Sequence, residues 1–187
     1  FTSYQNYSPN YHLSKVMGAG YEPGADWIEW GSGSAGWLYI YQMSGLEVYI
    51  HGYESEYSYR LNDIIRFDGS FSATRGENLT DNSSLYYMPP DRILLSTEVN
   101  LLPFSINLMH KKVFSQNRIG LYESATPGYE TYNLIGTYTI RNSWAVHKII
   151  LQVDNVFDRK YYNHLSRIKS IMPEKGRNIG LQYRLNF

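Results

Sequence analysis

GRNIGLQYRLNF, residues 176–187, decides how the chain is to be read. Ile179, Leu181, Tyr183, Leu185 and Phe187 share one parity, and Asn178, Gly180, Gln182, Arg184 and Asn186 share the other. Strict alternation is the period of a β-strand, whose successive side chains point to opposite faces. Working back along the chain, the pattern recurs. In VHKIILQVDN (146–155), Ile149, Leu151 and Val153 oppose Lys148, Gln152 and Asp154. In ETYNLIGTYTIR (130–141), Tyr132, Leu134, Gly136, Tyr138 and Ile140 oppose Asn133, Thr137, Thr139 and Arg141. DRILLSTEVNL (91–101) sets Ile93, Leu95, Thr97, Val99 and Leu101 against Arg92, Ser96, Glu98 and Asn100. IIRFDGSFSA (64–73) sets Ile65, Phe67, Gly69, Phe71 and Ala73 against Arg66, Asp68, Ser70 and Ser72. Helical periodicity is nearly absent. The second face is charged and amidic along its whole length, which is more than a weakly apolar surface.

The stretch WLYIYQMSGLEVYIHGYESEYSYR (37–60) breaks phase: Leu46, Val48 and Ile50 lie on one parity, Tyr53, Tyr57 and Tyr59 on the other. Gly52 between them reads as a β-bulge. Connections alternate in length. RLND (60–63), LPFS (102–105) and RNSW (141–144) are tight turns, whereas 76–90, 116–129 and 155–176 are long polar loops. Short turns at one end and long loops at the other are the layout of an outer-membrane barrel, whose strands cross the apolar band in about 9–11 residues. Seven strands are expected from residue 37 onward, with an eighth somewhere in 1–20, around HLSKVMGAG. The expected fold is therefore all-β, an antiparallel set of about eight transmembrane barrel strands. No domain boundary, internal repeat or charge run divides residues 1–187.

Composition narrows the partners. Seventeen basic residues balance seventeen acidic ones, so no overall field recruits nucleic acid. Cysteine is absent, which removes disulfide frameworks and thiolate chemistry. No run reaches the roughly 18–20 apolar residues of a spanning helix. No basic-then-apolar leader opens the chain, so Phe1 is expected to begin a mature chain or a piece of one. Nineteen tyrosines stand out in a chain that is only 18% charged. Tyrosine suits strands and the interface belts of membrane barrels, where one end of the ring is apolar and the other wet.

Sites of chemistry are sparse. GSGSAG (31–36) contains G-x-G-x-x-G, but the WLYIYQ stretch after it is strand, and a dinucleotide fingerprint must open a helix. His12, His51, His110, His147 and His164 show no zinc spacing. His110 and His147 fall on the apolar parity near strand ends; His12 and His164 are placed in outer loops, where solvation is the ordinary role and haem or metal contact the sharper one. No G-x-S-x-G elbow is present. The pairs Asp26/Glu29 and Glu54/Glu56 fit a hydrated loop and an inner face better than acid–base work. No catalytic residue, metal site or cofactor is expected. WIEWGSGSAGW (27–37) is the loop of most interest: Trp27, Trp30 and Trp37 are candidates for ligand contact, with a headgroup-level aromatic girdle as the bland reading.

DNVFDRKYYNHLSRIKSIMPEKGRNIGLQYRLNF (154–187) resembles the C-terminal end of a TonB-dependent outer-membrane receptor. That family closes with an N-[LV]-F-[DN]-x-x-Y segment, a loop ending in P-x-x-G-R, and a last alternating strand with a terminal aromatic. Here these are Asn155, Val156, Phe157, Asp158 and Tyr161, then Pro173, Gly176 and Arg177, then Phe187. SGLEVYIHGYESEYSYRLND (44–63) and the Pro89–Pro90 loop between its flanking strands resemble the family's upstream parts. The resemblance covers about residues 44–187 and does not reach 1–43.

It implies the last third of a roughly 22-stranded barrel with a plugged lumen. Its plug domain and TonB-binding segment are not part of these 187 residues. The implied partners are outer-membrane lipid, the remaining strands and plug of the same receptor, TonB through the missing N-terminal part, and a small solute of unknown identity. The implied location is the bacterial outer membrane. Arg66, Asp68, Glu98, Lys148, Asp154 and Arg184 would line water, the plug surface or the solute path. Two other architectures compete: a complete eight-stranded barrel with a structural or adhesive role, and a soluble carbohydrate-binding sandwich.

Overall fold

The computed structural model describes residues 1–19, 39–120, 123–166, 168, 169 and 171–187. The ordering element is an antiparallel sheet in which each long strand pairs with the next along the chain. Its strands are β1 (Thr2–Ala19), β2 (Tyr39–Arg60), β3 (Ile65–Asn78), β4 (Ser83–Ser84), β5 (Arg92–Leu101), β6 (Phe104–Val113), β7 (Tyr129–Arg141), β8 (Val146–Asp154) and β9 (Asn178–Asn186). β4 is a two-residue return against the far end of β3, and the other eight form the sheet in the order β1-β2-β3-β5-β6-β7-β8-β9. Seven of these long strands begin after residue 37, as the alternation requires, and the eighth occupies nearly all of 2–19.

Register carries the alternation across the sheet. Phe67 pairs with Thr97, Leu108 with Leu134, Tyr138 with Ile149 and Ile149 with Tyr183, so the apolar parities of successive strands coincide. On the reverse face Arg66 pairs with Glu98, and Lys148 with Arg184. A one-residue slip would exchange the two faces completely, which is why the pattern holds the register. Among the described residues no second sheet covers either face. Leu95, Leu151 and Leu181 remain 49%, 43% and 76% exposed although they point from the apolar side. Removing each from water would contribute about 1.5–3 kcal/mol, so the face demands an apolar medium. A sandwich is excluded by this single layer, because its apolar face would lie against a second sheet.

Among the described residues no pairing joins β1 to β9. Both edges stand open, and the self-closed eight-stranded barrel is not formed.

The three tight turns come from local chemistry. Asn62 Oδ1 accepts the N–H groups of Ile64 and Ile65 at 2.9 and 2.8 Å. Asn142 does the same for Trp144 and Ala145 at 3.1 and 2.8 Å. Both are side chains standing in for a backbone acceptor in a turn. Leu102-Pro103, with a cis peptide, links β5 to β6.

The expected bulge at Gly52 is absent. β2 and β3 pair without interruption from Val48↔Asn78 to Arg60↔Arg66, and Tyr4↔Gly52 is regular on the other side. The phase break has a different cause: β2 is 22 residues long, about twice what crosses an apolar band. Tyr53, Tyr57 and Tyr59 belong to the apolar face. Farther along, Leu46 and Val48 lie on the opposite face, where Leu85 and Met88 of the 79–91 loop cover them. The chain keeps its register while the surroundings of its two faces exchange polarity. Gly52 is required for space, since a Cβ there would stand 2.6 Å from the Ala73 carbonyl oxygen and against the Tyr4 ring. The real irregularities are in β1, between Ser8 and Tyr11 and between Val16 and Gly18. Pro9, which has no N–H to donate, falls inside the first.

Candidate functional site

Two regions of the sheet concentrate polar side chains: its reverse face and the long loops. On the reverse face Arg66 bridges Asp68 at 2.9 Å and Glu98 at 3.1 Å, Ser58 donates to Asp68 at 2.7 Å, and Asn100 donates to Glu98 at 2.8 Å. This network edges a concavity of about 570 Å³ whose floor includes Leu94 and Met109, with Glu56, Ser96 and Lys111 around them. Of the six residues expected on an inner face, Arg66, Asp68 and Glu98 are thus brought together. Lys148 and Arg184 stand directly opposite each other, and Asp154 accepts from Gln152 at 3.0 Å.

The loop site is a buried ionic cluster. Glu123, His164 and Lys169 have side chains only 2%, 1% and 7% exposed. Glu123 Oε1 lies 2.9 Å from His164 Nε2, off the N–H axis, and 3.1 Å from Lys169 Nζ. Its carboxylate also accepts the backbone N–H of Tyr87 at 3.2 Å and of Gly120 at 3.1 Å. His164 Nδ1 is 2.9 Å from Thr126 Oγ1 and 3.3 Å from Lys169 Nζ. Two donors facing Nδ1 make it the unprotonated nitrogen, which leaves the ring proton on Nε2 toward Glu123. Burial and then the Lys169 ammonium hold the His164 pKa below its ordinary value, against the opposing pull of Glu123. Protonating the ring would set a second cation beside Lys169. The cluster joins loops 79–91, 114–128 and 155–177, and Gln116 adds a further tie by donating to the Met88 carbonyl at 3.0 Å.

His164, the loop histidine expected to have a claim on ligand, is buried among protein groups, where a solute meets it only if the loops part. His12 is not in a loop: it lies in β1, paired with Gly45. Trp27, Trp30 and Trp37, with the glycine-rich stretch 31–36, lie outside the described residues.

The closing motif forms one interlocked turn. Asn155 and Asp158 take φ of 50° and 53°, a left-handed conformation that Asn and Asp tolerate best among non-glycine residues. Asn155 receives the Arg159 N–H at 2.9 Å and donates to the Arg159 carbonyl at 2.9 Å. Asp158 Oδ1 accepts the Arg177 N–H at 2.7 Å, across the full span of the loop. Gly176 is needed there because a Cβ would approach that same oxygen to 2.7 Å. Tyr161 stacks on Tyr129 at 4.3 Å, and Glu174 donates its N–H to the Tyr161 carbonyl. Burial and the nearby Glu174 carboxylate raise the Tyr161 pKa. Phe157 meets the Tyr132 ring edge-on at 5.2 Å, Phe187 stacks on Trp144, and Pro173 is half-buried.

Sequence reading missed Glu123, Thr126 and Lys169. Glu123 and Thr126 lie 38 to 46 residues from His164 and Lys169, and nothing local distinguishes them from solvated loop residues.

This architecture, one antiparallel sheet with an apolar and a polar face, tight turns at one end and clustered loops at the other, is the fold of a TonB-dependent outer-membrane receptor barrel. Solved proteins that carry the likeness include two with the following measures. The copper transporter OprC superposes with a TM-score of 0.75 over 98% of this chain at 21% identity. FpvAI, solved in complex with pyocin S2, does so with a TM-score of 0.59 over 76% at 19% identity. The chain spans only 27% and 20% of those two proteins' lengths. No protein-family model matches the sequence.

Proposed function

We propose that this chain is a wall segment of an outer-membrane receptor that takes up a scarce solute with energy supplied through TonB. The solute would be a siderophore-bound iron, haem, cobalamin or an oligosaccharide. The observation that carries the reading is the single-layer sheet with its apolar face uncovered and its charged face opposite. In a bilayer such a sheet is stable only when closed, because an open edge leaves unpaired N–H and C=O groups in hydrocarbon. The edges of β1 and β9 therefore pair with further strands of the same receptor. The reverse face then lines the lumen, where a plug and the solute path would meet Arg66, Asp68, Glu98 and Lys148. The clustered loops lie outside, and Trp27, Trp30 and Trp37 are assigned to solute contact. The role is binding and passage, without a catalytic step.

These 187 residues carry no cysteine, so a label introduced here is unique within the segment, and any cysteine elsewhere in the receptor is first replaced by serine. Single cysteines are placed in turn from 149 to 153 in the whole receptor, in cells, and treated with a water-soluble thiol reagent. Positions 150 and 152 should label, and 149, 151 and 153 should be protected. Uniform labelling would sink the membrane reading. Uptake is tested separately by deleting the gene and measuring accumulation of each solute class with and without TonB. If no TonB-dependent uptake is lost, the transporter reading falls while the barrel stands.

A further inference from the structure

Two adjacent rows of the hydrogen-bond ladder account for the concavity on the reverse face. In one row Glu56 pairs with Ser70, Ser70 with Leu94 and Leu94 with Lys111. In the next, two residues nearer the tight turns, Ser58 pairs with Asp68, Asp68 with Ser96, Ser96 with Met109 and Met109 with Asn133. All of them have the parity opposite the apolar face, so both rows present their side chains to the lumen side. Serine at 58, 70 and 96 keeps the rows low. The space left above them, about 570 Å³, is of the size that holds a small ligand.

The first row ends in opposite charges. Glu56 and Lys111 stand three strand spacings apart, about 14 Å at the backbone. Neither enters an ion pair among the described residues: Glu56 is exposed, and the Lys111 ammonium lies 5.8 Å over the Tyr129 ring. Asp68, by contrast, is already engaged by Arg66 and Ser58. Between the charged ends lie Leu94 and Met109, diagonal to each other in the register, with Leu94 39% exposed. Polar groups flank this apolar floor. The Ser70 hydroxyl has no partner among the described residues, and Asn133, whose Oδ1 takes the Asn155 N–H at 2.9 Å, keeps its own amide N–H groups available.

Resting on the uptake reading above, we propose that this groove is a station for a short zwitterionic, peptide-like solute, bound extended along the row on its way through the lumen. Its ammonium end meets Glu56, its carboxylate end meets Lys111, and its apolar side groups lie on Leu94 and Met109. An extended chain advances about 3.4 Å per residue, so three or four residues span the row. Charge-assisted hydrogen bonds fix the two ends, and the apolar floor favours side groups that leave water. Ser70 and Asn133 supply donors for the C=O groups of the bound chain. A neutral oligosaccharide has neither charged end, so the groove narrows the classes of solute. A plug would meet the wall broadly, whereas a ligand-sized hollow with free opposite charges at its ends matches a small molecule.

The test uses the whole receptor purified in detergent, with binding of the radiolabelled tetrapeptide alanyl-leucyl-leucyl-alanine read by equilibrium dialysis. The comparators are the same peptide acetylated and amidated at its ends, and maltotetraose. Wild type should hold the free peptide about tenfold more tightly than the blocked one, the order expected for two part-exposed charge contacts. Glu56→Lys and Lys111→Glu should each lose that preference. The two together should restore it with the peptide reversed, since one end is again anionic and the other cationic. Arg141→Gln with Arg184→Gln removes charge from the same face nearer the tight turns and should leave the preference intact. Equal binding of free and blocked peptide to wild type overturns the proposal without any variant, as does tighter binding of maltotetraose. So does loss of the preference in the Arg141 and Arg184 double variant, or failure of the double reversal to recover it. Ser70→Cys separates solute from plug: a small thiol reagent should reach it in the resting receptor and be blocked by saturating free peptide. Protection without peptide would give the groove to the plug and overturn the proposal. If no TonB-dependent uptake exists, the uptake reading falls and this inference falls with it. Uptake that persists with no peptide preference overturns this inference alone.

Discussion

Glu123→Ala is the sharpest perturbation of the loop cluster, because one carboxylate serves four partners in three loops. Its removal frees the Tyr87 and Gly120 N–H groups, and leaves the Lys169 ammonium 7% exposed beside His164 and 5.7 Å from the Tyr87 ring centre. Breaking a buried pair on one side costs about 3–5 kcal/mol, since the remaining charge stays desolvated. The loops open locally while the strands hold, so the readout is amide hydrogen exchange at Tyr87 and Gly120, not global unfolding. An energy of that size accelerates exchange by about 150- to 4,000-fold.

Glu123→Leu with Lys169→Met removes both charges and should restore much of the protection, because an apolar pair of similar volume is often neutral or better. The pH dependence comes from His164, which faces Glu123, Lys169 and Thr126. Its pKa in the fold lies below the ordinary 6.5, so the opened loops bind the additional proton and the closed cluster is favoured above that value. Protection, corrected for intrinsic exchange, should therefore fall as pH drops below about 6.5. Exchange within twofold of wild type in Glu123→Ala, at any pH from 5 to 8, would refute the cluster as the tie between loops.

Three other outcomes are expected. Leu151→Arg should destabilise the folded protein by about 2–4 kcal/mol in lipid, and Gln152→Arg by far less, as read by urea unfolding in vesicles. Equal effects would mean that the sheet is not in lipid, and a larger cost for Gln152→Arg that the two faces have been assigned the wrong way round. Gly52→Ala forces a Cβ onto the Ala73 carbonyl and should cost about 1–3 kcal/mol, lowering the temperature at which the folded band is lost on gels. An unchanged transition would show that β2 and β3 can separate freely there. Asn155→Ala removes three side-chain hydrogen bonds and a residue suited to positive φ, for about 2–4 kcal/mol in all, and proteolysis within 155–177 should rise. Unchanged nicking would place the closure of that loop elsewhere.

The alternation of Ile179 to Phe187, and its upstream repeats, was enough to assign those strands and their two faces. The reason is that a period of two is a local property, written in consecutive residues, and a buried or lipid-facing side enforces it. Asn62 and Asn142 announced their turns for the same local reason. The closing motif was legible as a pattern, though its mechanics were not: that Asp158 reaches the Arg177 amide, or that Gly176 must lack a Cβ, depends on bringing together the two ends of a long loop. β2 shows where local reading misleads. Its change of phase looks like an inserted residue, yet the register is unbroken, because polarity along a strand also depends on what covers each face. Leu85 and Met88, 39 and 40 residues from Leu46 and Val48 respectively, supply that cover from another loop. The Glu123–His164–Lys169 cluster is the extreme case. Each member by itself is an ordinary loop residue, and only the packing of three loops over the sheet desolvates them together, which is a decision of tertiary structure alone.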